Sequence, residues 1–323
     1  TLVIGLLREA LVAQARGALV RLPAAKRGTS VLLNNLGLLL RKMGKLEEAK
    51  PRYEEYMQGC RAALGDRHPS TLISINNMGL LLKDMGQLKE AMLLFEEALQ
   101  GKRETLGERH PSTLISIGSM GQLLQDMGKL EEARPLLEEA LQGCRETLGD
   151  RHPSTLSSIN NMGALLKKMG KLEEARPLYE EALQVRRETL GDRHPDTLAS
   201  ISNMGLLLQD MGKLEEAKPL YEEALQVRRE TLGDRHPHTL LSINNMGQLL
   251  QAMGKLEEAM PLYKEALQAR RETLGDRHPS TLISINNMGY LLKQMGKLEE
   301  ARPLYEEAVQ GGKETLGDGH PHT

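Results

Sequence analysis

The chain has 323 residues and a formal net charge of −2, with 42 Lys and Arg residues against 44 Asp and Glu residues. This balance gives the chain no general attraction to nucleic acid or to an anionic membrane surface, and no apolar run is long enough to insert across a bilayer. Trp is absent and Phe occurs once, so Leu, Ala and Met must fill the space between packed elements.

The first 29 residues do not match the pattern of the rest of the chain. An apolar stripe predicts a helix that ends before Pro23. The stripe consists of Leu2, Leu6, Leu7, Ala10, Leu11, Ala18 and Leu19. In register with the repeats that follow, this helix stands where the second helix of a preceding repeat would lie. We therefore interpret residues 1–29 as an N-terminal capping helix, a degenerate half-repeat that covers the first hairpin.

Residues 30–323 repeat with a period of 42 residues and without insertions. The dipeptide His-Pro marks the period, beginning at His68, His110, His152, His194, His236, His278 and His320. A fixed period of this length is typical of a stacked-repeat array, in which each repeat buries its apolar faces against its neighbours. We predict seven repeats, with Pro321–Thr323 starting an incomplete eighth. We also expect either that the natural chain continues or that another molecule covers the last repeat.

The apolar pattern of each repeat predicts two helices separated by a glycine. In the unit that begins at Pro69, one apolar stripe runs to Gly86 and a second runs from Leu88 to Leu106. Pro suits the first position of a helix, and Gly86 and Gly107 can adopt the left-handed backbone that ends one. The polar face of the second helix is predicted to hold Lys89, Glu90, Glu96, Glu97, Lys102 and Arg103. The predicted fold class is all-α, an α/α solenoid whose tandem helical hairpins form a right-handed superhelix.

Particular residues resemble a known family. Small Gly79, Ala91 and Ala98, aromatic Phe95 and the hairpin Gly86 occur in the order and spacing of a tetratricopeptide repeat. The usual unit of that family has about 34 residues, and the extra residues here lie in the second helix and the connection after it. The longer unit is similar to the repeats of kinesin light chains and nephrocystin-3-like proteins, and to repeat tails fused to nucleotide-binding signalling domains. The resemblance implies a binding module for proteins or peptides.

Motifs for catalysis and for cofactor binding are missing from the sequence. It has no His-Glu-x-x-His, no Cys-x-x-Cys, no phosphate loop and no dinucleotide fingerprint. The recurring histidines are separated by about one repeat, roughly 10 Å, whereas zinc–nitrogen bonds are ~2 Å long, so we expect them to cap helices. We therefore predict that the chain is not an enzyme and has no catalytic residue, metal site or cofactor.

The two cysteines bear on the cellular compartment. Cys60 and Cys144 occupy the same site two repeats apart, on the order of 20 Å, and so lie too far apart for a disulfide. Unpaired cysteines and the lack of a secretory signal favour a cytoplasmic location.

Four columns of the first helix differ between repeats, whereas the packing columns barely change. Steps of three and four residues place all four on one face, which lines the concave groove in tetratricopeptide arrays. The first column is Val31, Ile73, Ile115, Ser157, Ala199, Leu241 and Ile283. The second is Asn34, Asn76, Gly118, Asn160, Ser202, Asn244 and Asn286. The third is Leu38, Leu80, Gln122, Ala164, Leu206, Gln248 and Tyr290, and the fourth is Arg41, Lys83, Gln125, Lys167, Gln209, Gln251 and Lys293.

We predict that this groove binds an extended peptide. A carboxamide offers both a donor and an acceptor, which suits a peptide main chain; hydrogen bonds to the adjacent hairpin are the alternative role. Basic residues outnumber acidic ones on this face, which favours acidic or phosphorylated segments. The family's clamp for a terminal carboxylate needs Lys or Arg in the first two columns, which lack them. The predicted site residues are Asn34, Asn76, Asn160, Asn244, Asn286, Arg41, Lys83, Lys167, Lys293 and Tyr290.

The predicted function is therefore a protein–protein interaction scaffold or adaptor, with a protein or peptide partner and neither nucleic acid nor membrane insertion. Two alternatives stay open. The chain is either a structural component of a larger assembly, with possible end-to-end self-association, or a repeat sensor tail of a nucleotide-binding signalling protein. Near-identical repeats also fit a consensus-engineered array that binds no particular partner.

Overall fold

The computed structural model describes the backbone of residues 2–316, and the side chains in that range except those of residues 2–8, 24, 25, 315 and 316. This range contains sixteen helices and no strand. Their bounds are α1 Leu2–Arg21, α2 Ala24–Arg27, α3 Val31–Lys42, α4 Leu46–Leu64, α5 Pro69–Asp84, α6 Leu88–Leu106, α7 Pro111–Asp126, α8 Leu130–Leu148, α9 Pro153–Lys168, α10 Leu172–Leu190, α11 Pro195–Asp210, α12 Leu214–Leu232, α13 Pro237–Ala252, α14 Leu256–Leu274, α15 Pro279–Gln294 and α16 Leu298–Leu316. His320 and the predicted start of an eighth repeat, Pro321–Thr323, lie outside the described residues.

Each repeat is a hairpin of two helices, as the sequence pattern predicts. We call the first the A helix (α3 and the odd-numbered helices from α5 to α15) and the second the B helix (the even-numbered helices from α4 to α16). Pro69 is the first residue of its A helix. Gly86 and Gly107, which follow the A and B helices of that hairpin, have φ of +76° and +88°, the region that glycine enters without steric cost.

The recurring histidines cap the A helices, which confirms the predicted capping role. The Nδ1 atom of His68 accepts a hydrogen bond from the backbone N–H of Ser70 at 3.1 Å. The same bond recurs at His110, His152, His194, His236 and His278. It satisfies one of the backbone donors that the first turn of a helix leaves without a partner.

The interior of each hairpin is closed by contact between a glycine on the A helix and a large side chain on the B helix. A Cβ atom added at Gly79 would lie 2.9 Å from Cε1 of Phe95, closer than real atoms approach. Ala91 and Ala98, one turn to either side of Phe95, are fully buried. The small and aromatic positions that carry the family resemblance are therefore those at which the two helices touch.

The chain forms two compact units, Leu2–Leu178 and the part from Tyr179 onwards, with the division inside α10. In the first unit, each hairpin packs on the next through the contacts of α4 with α5, α6 with α7 and α8 with α9. In the second unit, α12 packs on α13 and α14 on α15. The predicted all-α array of tandem hairpins is thus confirmed, and the handedness of its superhelix stays a prediction. Helix α1 packs against α3, where a cap would lie, and the assignment of residues 1–29 as that cap stays a prediction.

Candidate functional site

The four variable columns lie together on the A helices, and we call this surface the A face. Its first column is exposed along the chain. Five of its members are apolar, and each is between 45% and 60% exposed: Val31, Ile73, Ile115, Leu241 and Ile283. Exposed apolar side chains in a regular series are unusual on a surface that meets only water and are typical of interaction sites.

The asparagines of the second column mostly bond to the neighbouring hairpin. Asn34 Oδ1 accepts from Asn77 Nδ2 at 2.8 Å, and Asn244 Oδ1 accepts from Asn287 Nδ2 at the same distance. Asn76 Oδ1 accepts from a serine hydroxyl of the next A helix at 3.2 Å. Asn76 and Asn244 are each only 6% exposed. At these two positions the asparagine therefore bonds to the adjacent hairpin and has a structural role.

Two other asparagines keep unused hydrogen-bonding groups. Asn160 Nδ2 donates to the backbone carbonyl of Leu156 at 2.9 Å, while its Oδ1 atom finds no donor among the described residues. Asn286 is exposed, and so is Tyr290 of the third column one turn further along α15. The groups that remain for a ligand therefore differ from one repeat to the next.

The basic residues of the fourth column in the first unit are engaged in ion pairs. Arg41 Nε lies 2.5 Å from Asp84 Oδ2, and Lys83 Nζ lies 2.9 Å from Asp126 Oδ2. Each pair joins one A helix to the next. Lys167 is half-buried and also has a partner, whereas Lys293 is exposed and forms no ion pair with a described residue. The positive excess read from the sequence is thus largely neutralised in this unit.

A further column of side chains, not singled out in the sequence, lies near the end of the B helices and faces the next hairpin. We call it the junction column. Its members are Cys60, Lys102, Cys144, Arg186, Arg228 and Arg270, all of them buried. Both cysteines are free. Comparison of the repeats with one another could have identified this column as buried, because Cys is among the most often buried residue types and occupies this position twice.

Lys102 corrects the sequence prediction, which placed it on the polar face of its helix. It is 3% exposed, because the next A helix covers this end of α6. Its Nζ atom donates to Ser116 Oγ at 2.7 Å and to the carbonyl of Ser112 at 3.3 Å. Burial lowers the pKa of the Lys102 ammonium group to about 8, because the charged form loses its hydration.

The three arginines of the junction column, all in the second unit, bond to neutral groups. Nη1 of Arg186, Arg228 and Arg270 donates to a serine hydroxyl of the next A helix at 2.7, 2.5 and 2.5 Å. Arg186 and Arg270 also donate to a backbone carbonyl, at 3.3 and 3.1 Å. None of the three pairs with a carboxylate of a described residue. Burial lowers the pKa of each guanidinium, but arginine stays charged at neutral pH.

Residues 2–316 contain neither a candidate metal cluster nor a candidate membrane-spanning helix. No group of three or more His, Cys, Asp or Glu side chains is arranged in this range to hold a metal ion. None of its helices combines the length and the apolar character needed to cross a bilayer.

The model of the tetratricopeptide repeat family matches the chain in six overlapping segments, residues 28–104, 77–142, 112–184, 155–209, 196–272 and 239–314. Among solved structures, the nearly identical repeats of a putative kinesin light chain from Podosopora anserina are 30% identical, with a TM-score of 0.55; the match covers 64% of this chain and 98% of that one. No curated protein matches the chain.

Two more distant structures share the fold alone. BtubC from P. vanneervenii is 20% identical with a TM-score of 0.59, over 72% of this chain and 94% of that one. A plasmid-encoded Rap conjugation gene regulator, solved in complex with the Phr peptide, is 17% identical with a TM-score of 0.64, over 88% of this chain and 75% of that one.

Proposed function

Because the chain belongs to the tetratricopeptide-repeat family, whose arrays are generally non-catalytic scaffolds for protein interaction, we propose that it binds an extended, acidic peptide along the A face. The observation that carries the proposal is the exposed apolar first column of that face, with one such side chain in five of the seven repeats. The Rap regulator with this fold was solved with a peptide bound, which supports the same class of ligand here.

The spacing of the repeats suits such a ligand. Neighbouring A helices lie about 10 Å apart, and an extended chain covers this distance in about three residues. A peptide in the polyproline II conformation, which has three residues per turn and rises ~3.1 Å per residue, therefore presents every third side chain to the first column.

The predicted site residues divide into two roles within this proposal. Asn286, Tyr290 and Lys293 contact the peptide directly, since each is exposed. Asn160 is half-buried and its unused Oδ1 atom is enclosed in the protein, so it contributes less. Asn34, Asn76, Asn244, Arg41 and Lys83 hold adjacent A helices in register, because each is bonded to or paired with a neighbouring A helix; Lys167 also has a partner. A reducing compartment such as the cytoplasm suits the two free cysteines.

The proposal is tested by selecting ligands from a displayed library of random peptides, each about 12 residues long and able to cross about four repeats. The selected peptides should be rich in Asp and Glu. Their affinity should fall in the double variant Leu241→Ser/Ile283→Ser, which removes two exposed apolar groups from consecutive A helices of the second unit. The matched control is Leu93→Ser, because Leu93 is equally apolar and exposed but lies on a B helix. Equal loss in both variants, or selection of peptides without acidic residues, would contradict the proposal.

An assembly component and a sensor tail of a nucleotide-binding signalling protein remain alternative functions. Both place the partner at the ends of the array or in flanking domains. Under either alternative, Leu241→Ser/Ile283→Ser leaves partner binding unchanged.

A further inference from the structure

We propose that Arg228 and Arg270, assisted by Arg186, bind the carboxylate side chains of an acidic peptide on the A face of the second unit. The inference rests on the proposed function and adds to it the groups that select acidic ligands. In this assignment, cations buried between the hairpins, rather than the exposed lysines, select an acidic ligand.

The charge state of these arginines is the first step. Each of the three residues is only 5% to 8% exposed, and a buried charge without a counter-charge is unfavourable unless hydrogen bonds compensate. Serine hydroxyls and backbone carbonyls supply those bonds here. A carboxylate is a stronger acceptor for a guanidinium than either of these neutral groups, so an acidic ligand gains free energy that a neutral one does not.

The second step is that hairpin stacking does not require a cation at this position. Cys60 and Cys144 occupy the junction column in the first unit, and the same kind of hairpin packs there without one. Cys144 Sγ lies 3.6 Å from the hydroxyl of Ser158, the equivalent of the serine that each arginine contacts. The three consecutive arginines of the second unit therefore need a reason other than the fold.

The third step places the guanidinium groups directly beneath the A face. Arg228 Nη1 donates to Ser202 Oγ at 3.1 Å, and its Nη2 donates to the carbonyl of Leu198 at the same distance. Ser202 belongs to the second column of the A face, and the hydroxyl of Ser242 on the following A helix is also bound. The guanidinium thus lies between two adjacent A helices, where low surrounding polarity strengthens its attraction for an anion.

Nearby charges rank the three residues. Arg186 and Arg270 use only Nη1 in the bonds described, so N–H groups remain for a ligand, since a guanidinium has five. The charge of Asp196 already acts on Arg186 and opposes the effect of burial on its pKa. Burial alone acts on the pKa of Arg228 and Arg270. The lack of a nearby carboxylate, and not the number of unused donors, therefore assigns the larger contributions to these two, although Arg228 also uses its Nη2 atom.

The experiment uses the full chain and a labelled peptide of four Glu-Val-Thr triplets, which places one carboxylate opposite each hairpin. The matched probe replaces every Glu by Gln, and a third probe replaces every Glu by phosphoserine. Fluorescence anisotropy should show tighter binding of the Glu peptide. In Arg228→Met/Arg270→Met its Kd should rise about tenfold or more, the usual effect of losing hydrogen bonds to charged groups. In Arg228→Lys/Arg270→Lys the loss should be smaller, and Lys293→Met should have the smallest effect.

The outcomes separate this inference from the proposed function. Unchanged binding of the Glu peptide by the double Met variant overturns the inference and leaves the proposed function intact. If the wild-type chain binds the Glu and Gln peptides equally, or binds neither, both are wrong. Selective binding of the phosphoserine peptide overturns the assignment to carboxylates.

A second variant covers the case in which the double Met variant fails to fold, which its circular dichroism would reveal. Arg270→Gln keeps a polar side chain at one junction of the second unit and removes only one charge. It should weaken binding of the Glu peptide but not of the Gln peptide. Unchanged affinity in this variant overturns the inference.

Discussion

Each B helix contributes side chains both to the interior of its own hairpin and to the junction column, and these two sets of positions hold different types of residue. In the interior, Tyr53, Phe95, Tyr221 and Tyr263 are almost completely buried against a glycine of the A helix. The junction column instead holds a thiol, an ammonium or a guanidinium group, each facing a serine of the next hairpin. Close steric contact restricts the interior to a glycine opposite a large Tyr, Phe or Leu side chain, whereas a polar junction with a neutral acceptor tolerates neutral and charged side chains. Charge can therefore change at the junction without changing the fold.

The largest effect is expected inside the hairpin. A Cβ atom at Gly205 would lie 2.7 Å from Cε1 of Tyr221, so Gly205→Val should lower the free energy of unfolding by ~3 kcal/mol, near the top of the range for overpacking. Urea unfolding followed by circular dichroism measures the change. Ala199→Val, at an exposed site of the same helix, is the control and should have almost no effect. Equal stability of the two variants would show that the hairpin interior is not sterically closed.

The next effect is a gain of stability at the junction. Lys102→Met removes a buried charge without a counter-ion and should raise the free energy of unfolding at pH 7 by ~2 kcal/mol. Because burial lowers the pKa of Lys102 to about 8, below its value of 10.5 in the unfolded chain, the wild-type protein should become more stable as the pH rises between these values.

The Lys102→Met variant should lack this rise. Lys89→Met, on the exposed side of the same helix, should change neither the stability nor its pH dependence. A loss of stability in Lys102→Met would mean that the two hydrogen bonds of the ammonium group outweigh the cost of burying it.

A smaller effect is expected for Arg228→Met. This change removes three hydrogen bonds but also the cost of burying the charge, and the two contributions nearly cancel at such sites. The free energy of unfolding should stay within ~1 kcal/mol of the wild-type value. Thermal unfolding of the two proteins tests this directly. A loss above ~3 kcal/mol, typical of breaking a required buried network, would make the arginine structural and remove the difference between the two units.

The smallest effect concerns the caps. Burial and the nearby charge of Arg270 lower the pKa of His278, so the folded state favours the neutral ring whose Nδ1 accepts the capping bond. The stability from this group is therefore present above the usual pKa and is lost as the pH falls through and below it. Asn also caps helices but does not titrate in this range. His278→Asn should thus lose less stability than the wild type between pH 7 and pH 5, by about 0.5 kcal/mol. Identical pH profiles would show that protonation leaves the cap intact.

Local patterns in the sequence were sufficient to predict the helical hairpins. Pro69, Gly86 and Gly107 mark helix bounds because the conformations of proline and glycine are restricted or permitted by their own covalent structure. Helical periodicity also assigned the A-face columns to one face of each A helix, since it decides which side chains share a face. The partners of those side chains were not predicted. The pair Arg41–Asp84 joins residues that lie on different A helices, and no local pattern states which charges meet.

The sequence by itself determined the period, the two helices of each repeat and the positions of the small and aromatic residues, because these depend on patterns within one repeat. Only the tertiary structure decided that Lys102 and the three arginines are buried. Lys102 follows Leu99 by three residues and precedes Leu106 by four, so it fits the apolar stripe of its helix as well as the polar surface. The next hairpin covers that end of the stripe, and its serine hydroxyl, within hydrogen-bond distance of Nζ, is what allows a cation to occupy a buried position.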